Sequence, residues 1–576
     1  MVLIGKIKIS VINCKNQKEI KLKNMEKTNI YIDRITFNDG SSFSFNNSDI
    51  VVFTGPNNCG KSQVLRDIKD YFTNKNIQRI IATDITPQFL GDVEYLKSKC
   101  INKNGKYYLD NIVVNIDNLK YQWEQKNISS ISTYFINHLS TESRLQAANP
   151  ANTFDAVNDF PVTPLQKLYI DDKTEKELSS LFHQAFGTEF IVNRGAGSQI
   201  PIHVGMTPTM DKGEDRVSVS YLSKLKRLPQ IQNQGDGMRS FTGILLDTFV
   251  SNHCITLIDE PEAFLHPPQA RLLGKLLAKS TLNNRQLFIS THSEDFLKGL
   301  LDANNEHIKV IRINREGDVN HMNILNNNEV ENLWKDPILR YSNILSGLFH
   351  SKVVICESDT DCRFYQAVLY AIQDENAINP DILFTHCGGK QRLKVVIKAL
   401  RSLNVKTIAV MDIDALNDKT TFKDIVESAG MIWDNIETSW KSINEYVKGQ
   451  RAQLDTEEVK KEIDNIFNSF HEPQLTTDIT DKIKKVIKQS SAWSKVKETG
   501  KTFFTGDAYN AFQKIYDQCK CNGLLIVPIG ELECFYKPDS NHGVKWVNNV
   551  LENVNLKDDP ELGQARSFVE EILLIK

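Results

Sequence analysis

The sequence is short of the features that mark several special classes of protein. Its ten cysteines are scattered, without two Cys-x-x-Cys pairs, so we predict neither a zinc cluster nor a disulfide framework. No apolar run is as long as a membrane span, and the first residues do not resemble a signal peptide. We therefore expect a cytoplasmic protein with no membrane partner. The net charge is only −3 at pH 7, so contacts with nucleic acid would have to come from local basic patches.

The most informative stretch runs from Ile50 to Ser62 and reads IVVFTGPNNCGKS. It begins with an apolar, β-branched run typical of a buried strand and continues as a complete Gly-x-x-x-x-Gly-Lys-Ser pattern. Backbone N–H groups of such a loop wrap a phosphate, the lysine adds positive charge, and the serine hydroxyl binds Mg²⁺. The helical spacing that follows would point a helix N-terminus at the anion. We therefore predict an ATP site formed by Gly55, Asn58, Gly60, Lys61 and Ser62.

Two later strands are expected to complete this ATP site. The run 254–258 ends in Asp259 and Glu260; Asp259 would hold Mg²⁺, and Glu260 would polarise the attacking water. Adjacent acids are common at ordinary strand ends, so this assignment depends on the P-loop upstream. The run 286–290 leads to His292, which would sense the γ-phosphate or would simply lie beside a helix start at Ser293.

A glycine-rich segment, GDGMRS, covers residues 235–240. It occupies the place where ATP-binding cassette (ABC) ATPases carry their signature loop, and we expect Gly237 and Ser240 to contact nucleotide across a dimer interface. Its sequence differs from LSGGQ, the usual sequence of that signature loop. Arg144 could reach a phosphate, but a solvated or salt-bridged arginine is an equal alternative.

The second half of the chain places acids after two further strand-like runs. Glu357 follows the run 352–356, and Asp412 and Asp414 follow the run 407–411. The carboxyl ends of adjacent parallel strands meet at one edge of a sheet, so these carboxylates would reach the same hard cations, Mg²⁺ or Mn²⁺. Such ions can stabilise the attacking and leaving oxygens of a phosphodiester displacement. The alternative is that these acids only cap helices and loops.

The remaining C-terminal sequence is an interruption followed by a return to the strand pattern. From 417 to about 505 the sequence has helical stripes, which we interpret as an insertion packing on itself. One stripe comprises Trp433, Ile436, Trp440, Ile443 and Val447, and a second comprises Val459, Ile463, Ile466 and Phe470. A strand-like run at 523–528 then precedes Glu531 and Glu533, and Lys545 follows as a cation that could offset leaving-group charge. The helical stretch from Lys390 carries a basic face that could follow a phosphate backbone or could simply be solvated.

These motifs, in this order, resemble known families. The first 345 residues resemble ABC-type ATPases of the structural-maintenance and RecF-like branch, which implies heads that dimerise around two ATP molecules. The whole chain resembles the OLD (overcoming lysogenization defect) family, an ABC ATPase head followed by a Toprim nuclease. The resemblance implies an α/β fold with two domains. The first is an ATPase domain at 1–347, which contains an insertion at about 74–230, and the second is a Rossmann-like Toprim domain at 348–576 with its helical insertion.

The OLD resemblance also implies site residues and an activity. It carries over Glu357 and Asp361 for one metal ion, Asp412 and Asp414 for another, and Glu533 as a later acid. Lys545 is our candidate for the family's catalytic lysine. The implied activity is metal-dependent nicking or cleavage of DNA under control of ATP, in a homodimer or larger homo-oligomer. Family members act in bacterial antiviral defence, alone or beside helper proteins or retrons.

A second hypothesis belongs to a different class of protein. In it, the chain is a DNA-repair or sensor ATPase of the RecF or structural-maintenance type, whose Toprim domain docks without cutting. The intact acidic set argues against this reading, since a docking module needs no convergent carboxylates. A primase or topoisomerase is weaker still, because the sequence shows no zinc cluster and no topoisomerase-like domain with a tyrosine nucleophile.

Overall fold

The computed structural model describes residues 27–575 apart from 104, 158, 280–283, 326–342, 375, 377, 451–455, 470–473, 489–491 and 540. The chain divides into two compact units between residues 335 and 336. That point lies within a stretch outside the described residues, so the predicted boundary at 347/348 stays a prediction. Among the described residues, no helix is both long enough and apolar enough to cross a membrane.

The first unit is organised by a six-stranded sheet. In spatial order its strands are Val319–Leu325, Ile308–Glu316, Ile50–Thr54, Gln286–Ser290, Ile255–Asp259 and Ile136–Leu139. All neighbouring pairs are parallel except the first pair, which is antiparallel. Every residue of Ile50–Thr54 is buried, as expected for a central strand covered on both faces. The three predicted strands of the ATP site are therefore neighbours, and their carboxyl ends share one edge.

The first unit also contains smaller sheets. One is antiparallel and consists of Ser42–Ser44, Asn29–Phe37 and Ala82–Leu90; a second consists of Ile101–Lys103, Lys106–Leu109 and Ile112–Val114. Two strand pairs lie further along, Ala151–Asn152 with Gln199–Ile200 and Glu189–Val192 with Ile202–Gly205.

The helices of the first unit connect these strands. They are Lys61–Thr73, Val93–Lys99, Ile116–Glu124, Ser132–Phe135, Thr141–Ala147, Pro164–Tyr169, Asp172–Phe186, Val219–Leu225, Asp236–Leu245, Pro267–Lys279 and Glu294–Leu301. A π-helical turn, Leu246–Val250, continues the helix Asp236–Leu245, and short 3₁₀ turns lie at Ser129–Ile131 and Ile231–Asn233.

The second unit contains a four-stranded parallel sheet. Its spatial order is Ile382–His386, Lys352–Cys356, Lys406–Met411 and Leu524–Ile526. From the first strand in sequence, Lys352–Cys356, the chain crosses to one side, and the third strand returns on the other side. The two central strands therefore form a topological switch point, and open α/β sheets bind ligands at the carboxyl ends of such strands.

Helices complete the second unit. They are Asp359–Ile372, Lys390–Ser402, Lys419–Ser428, Asp434–Gly449, Thr456–Asn468, Thr477–Lys488, Ala492–Thr499, Gly506–Cys521, Val544–Asn553 and Gly563–Leu574, with 3₁₀ turns at Asn343–Phe349, Ile413–Asn417, Gly500–Phe503, Leu532–Phe535 and Pro560–Leu562. Helix Asp359–Ile372 packs against the two C-terminal helices through the rings of Phe364, Tyr365, Trp546 and Phe568.

The helical insertion lies between the third and fourth strands of this sheet. Its predicted apolar stripe is confirmed at Ile436, Ile443 and Val447, all of which are buried; Phe470, predicted in a second stripe, lies outside the described residues. The insertion, predicted to pack on itself, also contacts the rest of the second unit. Its helix Ala492–Thr499 contacts the turn that follows Asp412, and this contact brings a lysine to the predicted acidic residues.

Candidate nucleotide and carboxylate sites

The P-loop of the first unit requires glycine at two positions. Gly55 and Gly60 have φ values of 141° and 102°, which are rare for residues with a side chain. A Cβ at Gly55 would lie 2.2 Å from the carbonyl oxygen of Ile313, and one at Gly60 would lie 2.2 Å from a methyl group of Ile81. Both glycines therefore permit a close approach that the predicted phosphate loop needs. Asn58 is exposed on the loop with φ 60°.

Lys61 lies inside this loop. Its side chain is buried, and its ammonium donates hydrogen bonds to the carbonyl oxygens of Gly55 and Pro56, both at 2.8 Å. Burial lowers the pKa of Lys61, because removal from water disfavours the charged form. The amine is thus held by the backbone of the loop that is predicted to wrap a phosphate.

The predicted Mg²⁺ ligands of the ATP site are in contact. The Ser62 hydroxyl donates to Asp259 Oδ1 at 2.8 Å, and Ser290 donates to the same oxygen. Asp259 ends its strand beside Ser290, because the two strands are parallel neighbours in register. A serine hydroxyl and a carboxylate are hard oxygen donors, so this pair fits the Mg²⁺ that accompanies ATP.

Glu260 and His292 face each other at the same sheet edge. His292 Nε2 lies 3.3 Å from Glu260 Oε1, and the backbone of Glu260 has φ 48°. Burial, together with the positive charge of Lys61, lowers the pKa of His292 to about 4. The imidazole is therefore neutral near pH 7, and the structure brings both predicted residues close to the P-loop lysine.

Two further residues hold this edge together, and sequence reasoning missed the role of both. Glu262 accepts hydrogen bonds from the Thr291 hydroxyl at 2.9 Å and from the His292 backbone N–H at 2.7 Å, and burial raises its pKa. The position of Glu262 in the sequence, two residues after Glu260, could have indicated that it belongs to this site. Arg144 is fully buried and donates to the backbone carbonyls of Asp259 and, at 3.0 Å, Glu260.

The structure corrects two predictions about the signature segment and its surroundings. Arg144 is neither solvated nor salt-bridged, and its fork is already satisfied by carbonyl oxygens and by Ser240, whose hydroxyl accepts from Nε at 3.1 Å. Ser240 is fully buried, so its side chain lacks the exposure that contact with a nucleotide across a dimer would need. Gly237, in the first turn of its helix, is partly exposed, and a Cβ there would lie 2.7 Å from the Phe264 carbonyl oxygen.

The second unit brings the predicted acids together at its switch point. The Asp412 backbone N–H donates to Glu357 Oε1 at 3.1 Å. Burial raises the pKa of Glu357 to about 7; the negative charge of Asp414 adds to this rise, and Lys390 opposes it. Burial and the charge of Glu357 also raise the pKa of Asp412 well above its ordinary value. Such shifts are typical of carboxylates gathered for a functional task.

Three more acids border this group. Asp361 lies in the first turn of helix Asp359–Ile372, where it accepts the Ser358 N–H at 2.9 Å in a capping box. Glu533 accepts the Gly543 N–H at 2.8 Å. Ligand atoms of Glu531, Glu533 and His542 lie within 4.8 Å of one another, close enough to share a metal ion. The carboxylate cluster comprises Glu357, Asp361, Asp412, Asp414, Glu531 and Glu533.

The cations beside the carboxylate cluster differ from the one predicted. Lys545 is exposed on helix Val544–Asn553, and its catalytic role stays a prediction. Lys390 lies 3.1 Å from Asp414, so one member of the predicted basic face is an ion-pair partner of the cluster. Lys497, from the helical insertion, lies 2.9 Å from Glu531. No sequence signal pointed to Lys497, because 83 residues separate it from Asp414 along the chain.

Comparisons with known proteins agree with this arrangement. An AAA domain described as a putative AbiEii toxin of a type IV toxin–antitoxin system matches residues 160–297, and an overcoming lysogenization defect protein-like TOPRIM domain matches residues 348–414. The Old nuclease of Escherichia phage P2 is 25% identical over 401 residues, which cover 64% of this chain and 61% of that protein. The chain therefore spans less than two thirds of that relative.

Other similarities are shorter or weaker. An uncharacterized protein of Methanocaldococcus jannaschii, MJECL11, is 36% identical over 88 residues, 15% of this chain and 77% of that protein. The Smc head bound to the C-winged helix domain of ScpA aligns at 12% identity with a TM-score of 0.31, covering 52% of this chain and 97% of that one. The SMC head domain of Thermotoga maritima aligns at 12% identity with a TM-score of 0.27, covering 52% and 98%.

The fold and the matched domains define a P-loop ATPase joined to a TOPRIM domain, and the predicted fold class is confirmed. The chain carries an OLD-like TOPRIM domain and is similar to the Old nuclease of phage P2, in agreement with the predicted resemblance to the OLD family.

Proposed function

We propose that this protein is a divalent-metal-dependent DNA endonuclease whose cutting is regulated by ATP. The observation that carries the proposal is the convergence of Glu357, Asp412 and Asp414 at the switch point of a parallel sheet, with raised pKa values for the first two. Carboxylates with raised pKa values are destabilised as anions, so a bound cation would stabilise them. A domain that only docks would gain nothing from buried carboxylates that are costly to ionise.

The donor set fits the proposed cation. All members of the carboxylate cluster offer oxygen, the ligand that Mg²⁺ and Mn²⁺ prefer. Glu357, Asp412, Asp414, Asp361 and Glu533 would hold the ions, which supply charge stabilisation to a phosphodiester displacement when bound. The chain itself contributes Lys390 and Lys497, whose ammonium groups lie beside Asp414 and Glu531 and would attract and orient the anionic DNA backbone.

The first unit supplies the proposed control by ATP. Lys61 and the P-loop backbone would bind the phosphates, Ser62 and Asp259 would hold Mg²⁺, and Glu260 would orient water beside neutral His292. Glu262 holds the His292 backbone by a hydrogen bond. Loss of the γ-phosphate beside His292 would therefore also shift Glu262 and the strand end that it holds. We further propose that the heads form a homodimer or larger homo-oligomer and that the protein acts in bacterial antiviral defence in the cytoplasm, alone or with a helper protein or retron.

The proposal is tested by cleavage of supercoiled plasmid with Mg²⁺ or Mn²⁺, with and without ATP. We expect metal-dependent nicking or linearisation that the double variant Asp412→Ala/Asp414→Ala loses by at least about 100-fold, since both acids belong to the metal-binding set. Asp424→Asn is the matched control, because Asp424 is a partly exposed aspartate paired with Lys394. The ATP lanes give the sign of control.

The competing function predicts a different pattern. A repair or sensor ATPase that only docks would bind DNA equally well in wild type and double variant, and any cleavage would be unaffected by the substitutions. Cleavage by the double variant at the wild-type rate would therefore overturn the endonuclease assignment to this cluster. Filter-binding measurements on the same samples would separate loss of cutting from loss of DNA binding.

A further inference from the structure

Lys497 lies among three carboxylates of the cluster. Its ammonium is 2.9 Å from Glu531 Oε2 and 3.7 Å from one oxygen each of Asp412 and Asp414. The side chain is about one-third exposed, and the three carboxylates are less exposed than the lysine. One ammonium therefore contacts acids from two separate segments of the chain, the turn after the third strand and the turn after the fourth.

The position of Lys497 is built into the backbone. Its carbonyl oxygen would lie 1.8 Å from a Cβ at Gly530, which has φ 122°, so only glycine allows the helix to approach this closely. The Lys497 carbonyl also accepts from the thiol of Cys534 at 3.3 Å. Just beyond the helix, the Lys501 N–H donates to the Pro528 carbonyl at 2.7 Å. These backbone contacts fix the position of the helix, and the helix places Lys497 beside the carboxylate cluster.

The ammonium is also held in its charged form. Three carboxylates lie within 3.7 Å of it, and nearby negative charges favour the protonated form of a lysine. Lys390 adds a second positive charge on Asp414. Oxygens that hold Mg²⁺ lie about 2.0–2.1 Å from the ion. An ion bound to the same oxygens as Lys497 would therefore meet a positive charge at short range.

We propose that Lys497 takes the place of one divalent ion in the carboxylate cluster. The wild-type cluster then binds a single Mg²⁺ or Mn²⁺, held on the Glu357 side, while Lys497 supplies the second positive charge beside Asp414 and Glu531. This inference rests on the proposed function to the extent that the cluster binds divalent ions at all. It assigns the helical insertion a direct part in the site, which the sequence alone did not suggest.

The test is the number of Mn²⁺ ions bound by the full chain without nucleotide, measured by calorimetry and by the electron paramagnetic resonance signal of free Mn²⁺. The variant Asp412→Asn/Asp414→Asn gives the baseline for ions bound elsewhere. Above that baseline we expect one ion in wild type and two in Lys497→Met, with the second ion bound about tenfold or more tightly than any second ion in wild type. Lys495→Met is the matched control, because Lys495 is exposed on the same helix, and it should bind one ion.

Every outcome decides the inference. Two ions of similar affinity in wild type, or one ion in both wild type and Lys497→Met, would overturn it. Binding of no ion above the baseline in either protein would overturn it together with metal dependence, and the plasmid assay would show that second failure independently. Lys497→Arg keeps the charge and should retain one ion. If Lys497→Met does not fold, judged by its circular dichroism, Lys497→Gln takes its place as the neutral variant.

Discussion

The ATP site and the carboxylate cluster are both built at the carboxyl ends of parallel strands, but their charges are balanced in opposite ways. In the ATP site, Lys61 and Arg144 donate to backbone carbonyls, and Asp259 accepts from two hydroxyls. In the carboxylate cluster, acids face one another, and Lys390 and Lys497 are the ion-pair partners that the described residues supply to Asp414. In the first site, a cation lies inside a loop and is held by backbone carbonyls. The second carries excess negative charge.

This difference indicates what each site is prepared to bind. A glycine-rich loop that contains a lysine suits an anion such as a phosphate, because backbone N–H groups and the ammonium both attract negative charge. A group of acids whose pKa values are raised by burial suits a cation, because the cation removes the cost of keeping them ionised. The same strand-end geometry therefore serves opposite ligands, and the side chains decide which.

Substitution of the P-loop lysine should have the largest effect. In Lys61→Met we expect ATP affinity to fall by about 100-fold or more, because a buried positive charge is lost from the phosphate site. Mn²⁺ binding by the carboxylate cluster should not change. Calorimetric titration with ATP and with Mn²⁺ measures both, and Lys69→Met, exposed on the same helix, is the control. Equal ATP affinity in Lys61→Met and wild type would contradict the assignment of Lys61 to the phosphate site.

Removal of the buried arginine should be the next largest effect. Arg144→Met leaves the carbonyls of Asp259 and Glu260 and the Ser240 hydroxyl without their donor, so we expect a loss of about 3 kcal/mol in the free energy of unfolding of the first unit. Urea unfolding followed by probes in each unit measures it. Arg363→Met, an exposed arginine of the second unit, should cost less than about 0.5 kcal/mol. Equal losses in the two variants would argue against the role of Arg144.

A change at Gly530 should disturb the carboxylate cluster by a smaller amount. Gly530→Ala places a Cβ against the Lys497 carbonyl, so we expect the helix to move and the second unit to lose about 2 kcal/mol. Displacement of Lys497 should also raise Mn²⁺ binding. Gly506→Ala is matched, because Gly506 has φ 55° with nothing within 4 Å of its Cβ; it carries the backbone strain without the clash. Identical Mn²⁺ binding in the two variants would contradict the expected connection between the position of Lys497 and Mn²⁺ binding.

The smallest expected effect is a pH dependence in the ATP site. The pKa of His292 is about 4 in the fold, against an ordinary value of 6.5, so between these values the unfolded chain binds more protons. The free energy of unfolding is therefore unaffected by His292 above pH 6.5 and decreases as the pH falls toward 4, because the unfolded chain gains the proton first. His292→Gln should remove this part of the acid sensitivity. Melting temperatures at about pH 7 and about pH 5 measure it, and equal acid losses in wild type and variant would contradict it.

Much of both sites followed from local sequence. The P-loop, the acids at 259 and 260 and the acids at 357, 412 and 414 were predictable because each follows a buried apolar run, and strand ends converge in any parallel sheet. Cys254–Ile258, predicted as a strand, differs from the observed strand Ile255–Asp259 by one residue at each end. The helical character of the insertion also followed from its stripes.

The residues that sequence reasoning missed are those whose partners are distant in sequence. Arg144 meets Asp259 across 115 residues, and Lys497 meets Asp412 across 85. Neither lies in a motif, and a lysine or arginine on a helix is usually solvated. Burial of Ser240 is of the same kind, since its position after a glycine-rich turn favours exposure until the packing is known.

The sequence by itself determined the two domains' chemistry: a phosphate loop with a strand-end aspartate, and a later set of strand-end acids in the order of the OLD-like family. These features are local, because strand, turn and helix signals repeat within a few residues. Only the tertiary structure decided which cations balance the acids and which donor holds the ATP-site backbone. Those choices depend on where an inserted helix and a buried guanidinium come to rest, and long-range packing sets both.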